Sequence, residues 1–242
     1  MYNSNMIDYH TTEILPSVRK AIIKGSVAAQ LEKEGRRWRI SWNSSVASYQ
    51  ETFKLVFPKK FNDFLKERKC IKKVYALDLM SSPAMLSGLE IDGGVAIGLG
   101  DLSNTEFEKE MINKNIEYIY GNLLTRQPWN DIVGWLKRNK AEGFDLITCR
   151  ADMIRAHIKY VPPNPTVYYD LLNRAWNLLD KKGGVLLVDI PKFVYTSGIH
   201  QNLIDQWLRR LEENQIEYKY VQNSALKLVK NANSPKYLPT LN

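Results

Sequence analysis

Seven short apolar runs mark this 242-residue chain, and the spacing of the last two limits what it can fold into. Five of them are KVYALDL (73–79), GVAIGL (94–99), IEYIYG (116–121), FDLITC (144–149) and GVLLVDI (184–190). Segments of helical periodicity separate them. Runs this apolar suit strands buried on both faces of a parallel sheet. The last two, IEYKYVQ (216–222) and ALKLVKN (225–231), are separated only by Asn223-Ser224. Two residues close a hairpin and cannot make a parallel crossover. The pattern predicts a doubly wound α/β fold, with five strand–helix units followed by an antiparallel pair.

The intervening segments carry helix signals. NTEFEKEMINK (104–114) follows a capping pattern, Ser103-x-x-Glu106. PWNDIVGWLKRNKA (128–141) opens on Pro128, a favoured early helix residue. PTVYYDLLNRAWNLLD (165–180) sets Tyr169, Leu172, Ala175, Trp176 and Leu179 on one face and stops before Lys181-Lys182-Gly183-Gly184. GIHQNLIDQWLRRLEENQ (198–215) follows the fifth run. Ahead of the first strand, residues 12–35 and 46–67 have helical stripes, the second interrupted near Pro58. These stripes must pack on something, so residues 1–70 are expected to form a helical cap on a domain spanning 71–231, with 232–242 as a loop or disordered tail.

Charge is uneven. Residues 1–73 hold 15 Lys+Arg and 7 Asp+Glu, whereas 74–242 hold 19 of each, so the first segment accounts for the whole net charge of +8. A basic segment on a neutral domain suits either a solvated helical face or contact with a polyanion such as RNA or DNA. No apolar run reaches the ~18 residues of a membrane span. The start, MYNSNMIDYH, has no signal pattern. Cys70 and Cys149 lack metal spacing, and His10, His157 and His200 accompany no cysteine pair, so no metal is expected and a reducing cytoplasm is the default.

The stretch VYALDLMSSPAML (74–86) combines a strand, a carboxylate at Asp78, a loop and a helix start. With the strand order, it resembles the class I S-adenosylmethionine-dependent methyltransferases over roughly residues 70–231. That resemblance implies a Rossmann-like seven-stranded sheet and S-adenosylmethionine as cofactor. It implies that Asp78 organises the loop around the cofactor's amino-acid part, and that Asp101 in VAIGLGD, with Gly100, receives the ribose hydroxyls. Gly121-Asn122 stands where the family usually reads Gly-Asp and would meet an adenine edge. Cys149-Arg150-Ala151-Asp152 ends the fourth run, where the family faces its methyl acceptor; the resemblance makes Cys149 a further cofactor-binding position, Asp152 the best candidate base and Arg150 a catalytic candidate beside it. Arg155 follows them. The family's loop is typically Gly-x-Gly, but here it is Met80-Ser81-Ser82-Pro83. Either Ser81 and Ser82 offer donors to the cofactor's carboxylate, or Met80 fills the pocket.

Two functions follow from the resemblance. One is a methyltransferase acting on a nucleic acid or a small molecule. The other is a methyltransferase-like scaffold without catalysis, which binds a polyanion through its basic segment. A third, weaker reading, another nucleotide-dependent Rossmann enzyme, lacks the glycine fingerprint. The prolines at 162, 163 and 165 read as a rigid lead into the next helix.

Overall fold

The computed structural model describes residues 38–39, 45–79, 83–98, 100–101, 111–123, 125–150, 165–189, 198–222 and 224–240. The segments 12–35 and 104–110, the loop residues Met80, Ser81 and Ser82, and 151–164 with Asp152 and Arg155, lie outside them.

All seven expected strands form within about two residues of their predicted ends: β2 (Tyr75–Leu79), β3 (Gly93–Gly98), β5 (Ile116–Tyr120), β6 (Leu146–Cys149), β7 (Gly184–Asp189), β8 (Glu217–Val221) and β9 (Ala225–Lys230). They build one sheet in the order β5-β3-β2-β6-β7-β9-β8. The first five run parallel, and β9 is antiparallel to both β7 and β8. A second, two-residue pairing joins β1 (Trp38–Arg39) in parallel to β4 (Gly100–Asp101), in the register Trp38 with Gly100 and Arg39 with Asp101. Nothing in the periodicity announced it.

Strand alternation divides the core in two. Tyr75, Leu77 and Leu79 face α4 (Gln127–Arg138), α5 (Pro165–Leu178) and α6 (Gly198–Glu213), where Trp129, Trp135, Trp176 and Trp207 are buried. Pro128 opens α4 and Lys137 and Arg138 close it, matching the helix dipole. Val74 and Ala76 face the other way. There α1 (Val46–Phe53), α2 (Phe61–Lys69) and the short α3 (Ala84–Ser87) cover the sheet with Tyr49, Phe53, Phe61 and Leu65. So α1 and α2 form a layer on one face of the sheet. The expected break near Pro58 separates them.

This layer is also tied down by charge at the amino ends of the strands. Arg68 Nε lies 2.5 Å from Asp145 Oδ1, and Lys72 Nζ lies 2.8 Å from the same oxygen and 2.5 Å from Asp180 Oδ2. Asp145 is 0% and Asp180 2% exposed. Asp145 also accepts the Tyr75 amide at 3.0 Å. Burial pushes the Asp180 carboxyl up. The hydrogen bonds from Lys72 and the Lys182 amide, with the charges of Lys72 and Arg68, outweigh it and hold the group below its ordinary range. Lys69 pairs with Asp92, and Lys59 and Lys54 with Glu67 and Glu51. Part of the basic excess therefore answers carboxylates within the fold.

The carboxy-terminal segment has no regular structure, yet it is fastened. Trp176 Nε1 donates to the Pro235 carbonyl (3.0 Å), Trp207 Nε1 to Pro239 (2.8 Å) and Arg210 Nη1 to Thr240 (2.8 Å), while the Leu238 amide donates to Asn173 Oδ1 (3.0 Å). Buried indole N–H groups need acceptors, and the tail supplies two.

Candidate functional site

Open α/β sheets bind ligands beyond the carboxyl ends of their strands, where the strand order reverses. Here that point lies between β2 and β6. Asp78 and Thr148 are register partners across it. Both side chains point to the α1 face, because they share alternation with Ala76 and Leu146. Thr148 Oγ1 donates to Asp78 Oδ1 at 2.7 Å, and Tyr49 Oη donates to Asp78 Oδ2 at 2.9 Å. All three residues are 0% exposed. A buried carboxylate is costly without such donors, and these two hydroxyls bind one to each oxygen. Asp78 thus fastens α1 to the two central strands, which is a structural task in addition to the one expected of it.

Arg150 follows β6 directly. Its guanidinium carbon lies 4.9 Å from the centroid of the Tyr49 ring, and Nη1 lies 3.4 Å from Ser48 Oγ. Among the described residues its Nε is buried without a hydrogen-bond partner. A guanidinium offers five N–H donors in a planar fork and no acceptor, so this position can serve a ligand by charge and hydrogen bonding.

Cys149 points to the opposite face, into the cluster with Leu79, Ile97 and Val188. Burial, with the charges of Asp78 and Asp189 nearby, pushes its thiol up to about 12. It is a neutral packing group at ordinary pH. Cys70, by contrast, is exposed. A disulfide-exchange reagent at pH 8 should titrate one thiol in the folded chain and the second only on unfolding. Two fast thiols would show that β6 is accessible from the α4–α5 side.

The other expected positions gather at the same end of the sheet. Gly121 follows β5, and its amide donates to the Gly98 carbonyl at 3.0 Å. A Cβ on Gly121 would come within 2.5 Å of the Pro128 ring, so the close approach of α4 demands glycine. The Asn122 carbonyl accepts the Thr125 amide (2.8 Å) and hydroxyl (2.7 Å), fixing the turn into α4. The backbone of Gly100 and Asp101 prolongs the end of β3 and carries the β1 pairing. Asp78, Gly100, Asp101, Gly121, Asn122 and Arg150 thus come together across four neighbouring strand ends; Cys149 shares the end of β6 but turns its thiol into the core on the other face, away from the cofactor role expected of it, while Ser81, Ser82 and Asp152 lie outside the described residues.

Two contributors escaped the sequence reading. Tyr49 sits in an aromatic stripe that reads as core. Thr148 had a signal, as a lone hydroxyl in the apolar run FDLITC directly before the strand end. Among the described residues, no helix is long and apolar enough to cross a membrane, and no group of three His, Cys, Asp or Glu could hold a metal ion.

No family model matches this sequence, and neither does any curated protein. Among solved structures, the plantazolicin methyltransferase BpumL, in complex with a monoazolic desmethylPZN analogue and SAH, is 11% identical over 90% of this chain and 99% of its own, with a TM-score of 0.41. The METTL16 MTase domain is 12% identical over 90% and 82%, with a TM-score of 0.42. The 16S rRNA methylase ArmA is 15% identical over 87% and 95%, with a TM-score of 0.37. At such values the fold assignment rests on the strand order of this chain alone. That order, three parallel strands outward from the centre on one side and a closing antiparallel pair on the other, is the Rossmann-like fold of the class I S-adenosylmethionine-dependent methyltransferases.

Proposed function

We propose that this chain binds S-adenosylmethionine across the carboxyl ends of β3, β2 and β6 and transfers its methyl group to an acceptor. The observation that carries the reading is the convergence of polar and glycine positions on the switch point of this particular sheet. The residues present fit the cofactor. A buried Arg150 Nε without a partner among the described residues calls for an acceptor atom. Asp101 would accept the ribose hydroxyls, with Gly100 leaving room beside them. Asn122 would meet the adenine edge, since an amide both donates and accepts. Ser81 and Ser82 would donate to the amino-acid part. When bound, the cofactor supplies an already activated methyl group, so the protein's work is alignment and exclusion of water. Asp152 would stand on the acceptor side as base for an oxygen acceptor, and a nitrogen acceptor needs none. A nucleic acid and a small molecule both remain suitable as acceptor.

Calorimetric titration with S-adenosylmethionine and S-adenosylhomocysteine tests the reading. One-site binding is expected, weakened roughly 10–100-fold in Asp101→Ala, the range for losing hydrogen bonds to a charged group. No heat for either ligand in folded protein would overturn it. A scaffold that binds a polyanion through the basic amino-terminal segment, residues 1–70, would then be the better account. The inward engagement of Asp78 and the glycine-free loop favour that second reading.

A further inference from the structure

We infer that Arg150 binds the carboxylate of the ligand's amino-acid part and takes over a task for which the loop after β2 has no glycines. The inference rests on the proposed cofactor reading and goes past it by assigning one anchor. Four observations lead there. First, among the described residues the Nε of Arg150 is buried without a hydrogen-bond partner, and its Nη1 reaches Ser48 Oγ at 3.4 Å. Leaving a buried charged donor unpaired is costly, so the position favours an acceptor that arrives from outside.

Second, no carboxylate among the described residues forms an ion pair with Arg150, although basic residues elsewhere in the fold pair readily. Arg68, Lys69 and Lys72 all meet aspartates. Third, the guanidinium is held in place: the Tyr49 ring lies 4.9 Å away, and Tyr49 is fixed by its bond to the buried Asp78. The fork that matches a carboxylate with two parallel hydrogen bonds is therefore set before the ligand arrives.

Fourth, sheet order gives the direction of the ligand. Asp101 continues from β3, Asp78 ends β2 and Arg150 follows β6, in that spatial succession. Strands lie about 4.8 Å apart, so β3 and β6 are about 10 Å apart across β2. With the ribose at the end of β3, the amino-acid end of the same molecule falls toward β6. The loop between, Met80-Ser81-Ser82-Pro83, has no glycine to let backbone N–H groups approach closely. A side-chain anchor from the neighbouring strand would replace them.

The test compares S-adenosylhomocysteine with its decarboxylated analogue, which differs only by the carboxylate. Calorimetric titrations would be run on the full chain, Arg150→Gln and Arg150→Lys, with the fold of each checked by circular dichroism. The unaltered chain is expected to prefer S-adenosylhomocysteine by roughly 10–100-fold. Arg150→Gln should erase the preference while leaving affinity for the analogue unchanged, and Arg150→Lys should retain part of it. A preference that survives Arg150→Gln would overturn the assignment. So would an equal loss for both ligands, which would make Arg150 a support for the pocket. If the unaltered chain binds neither ligand, the cofactor reading itself falls and takes this inference with it.

Discussion

Asp145→Ala should lower stability by about 3–5 kcal/mol, the range for removing one partner of a buried ion pair. At about 2–4 °C per kcal/mol for a chain of this size, Tm should fall by roughly 6–20 °C. Asp145 is 0% exposed and receives Arg68, Lys72 and the Tyr75 amide. Its loss leaves the two cations with Asp180 alone and takes from the Tyr75 amide its carboxylate acceptor. Arg68 and Lys72 are 14% and 26% exposed, so water recovers part of the loss and the lower half of the range is expected. Asp145→Asn keeps an acceptor for Tyr75 and should cost less. Glu117→Ala is the control: its pair with Arg138 is 42% and 60% exposed and should contribute at most about 1 kcal/mol. Urea unfolding at pH 7 reads all three variants. Asp180 adds a pH signature. A carboxyl held below its ordinary range in the fold stabilises at neutral pH, and that contribution disappears as pH falls through its folded value. A change below about 1 kcal/mol for Asp145→Ala would mean that the apolar stripe of α1 and α2 alone holds the layer on the sheet.

Much of this architecture is legible in the sequence because its cause is local. A strand buried on both faces must be almost wholly apolar, so KVYALDL or GVLLVDI reads as what it is, and Asn223-Ser224 is too short for anything but a hairpin. What escapes is long-range and polar. Arg68 counts as excess charge until Asp145 and Asp180 are found 77 and 112 residues away. Tyr49 reads as one more aromatic in a helical stripe, and only the fold sets its hydroxyl on Asp78, 29 residues on. The tail reads as loose because ANSPKYLPTLN has no periodicity, whereas its backbone carbonyls are what Trp176 and Trp207 require. The pairing of β1 with β4 involves two residues on each side, too few for any periodic signal. The site shows the same division. Strand-end carboxylates and glycines announce themselves, but the partners that set their roles do not.

Asp78→Leu is the other substitution with a large expected effect, and it separates the two tasks of this residue. Alone, it leaves the Tyr49 and Thr148 hydroxyls buried without their acceptor, at about 1–3 kcal/mol each. Tyr49→Phe alone withdraws one donor from a buried carboxylate and should cost about 1.5–3 kcal/mol. The triple variant Tyr49→Phe/Asp78→Leu/Thr148→Val removes donors and acceptor together. Replacing buried polar partners together by apolar side chains of similar volume is often neutral or better, so the triple should recover most of the stability lost in Asp78→Leu in urea unfolding. That recovery makes the functional comparison clean, because the aromatic ring kept at this position by Tyr49→Phe would still back Arg150. If Asp78 serves the site only by holding α1 against β2 and β6, the triple should bind S-adenosylhomocysteine within a few-fold of the unaltered chain. Since Asp78 is 0% exposed and both its oxygens accept hydroxyls from the core side, that is the expected result. A triple variant that is equally stable but no longer binds would show that the Asp78 charge itself orders the loop around the ligand. The buried tie would then be part of the binding site, and the single Tyr49→Phe change should weaken ligand binding as well as the fold.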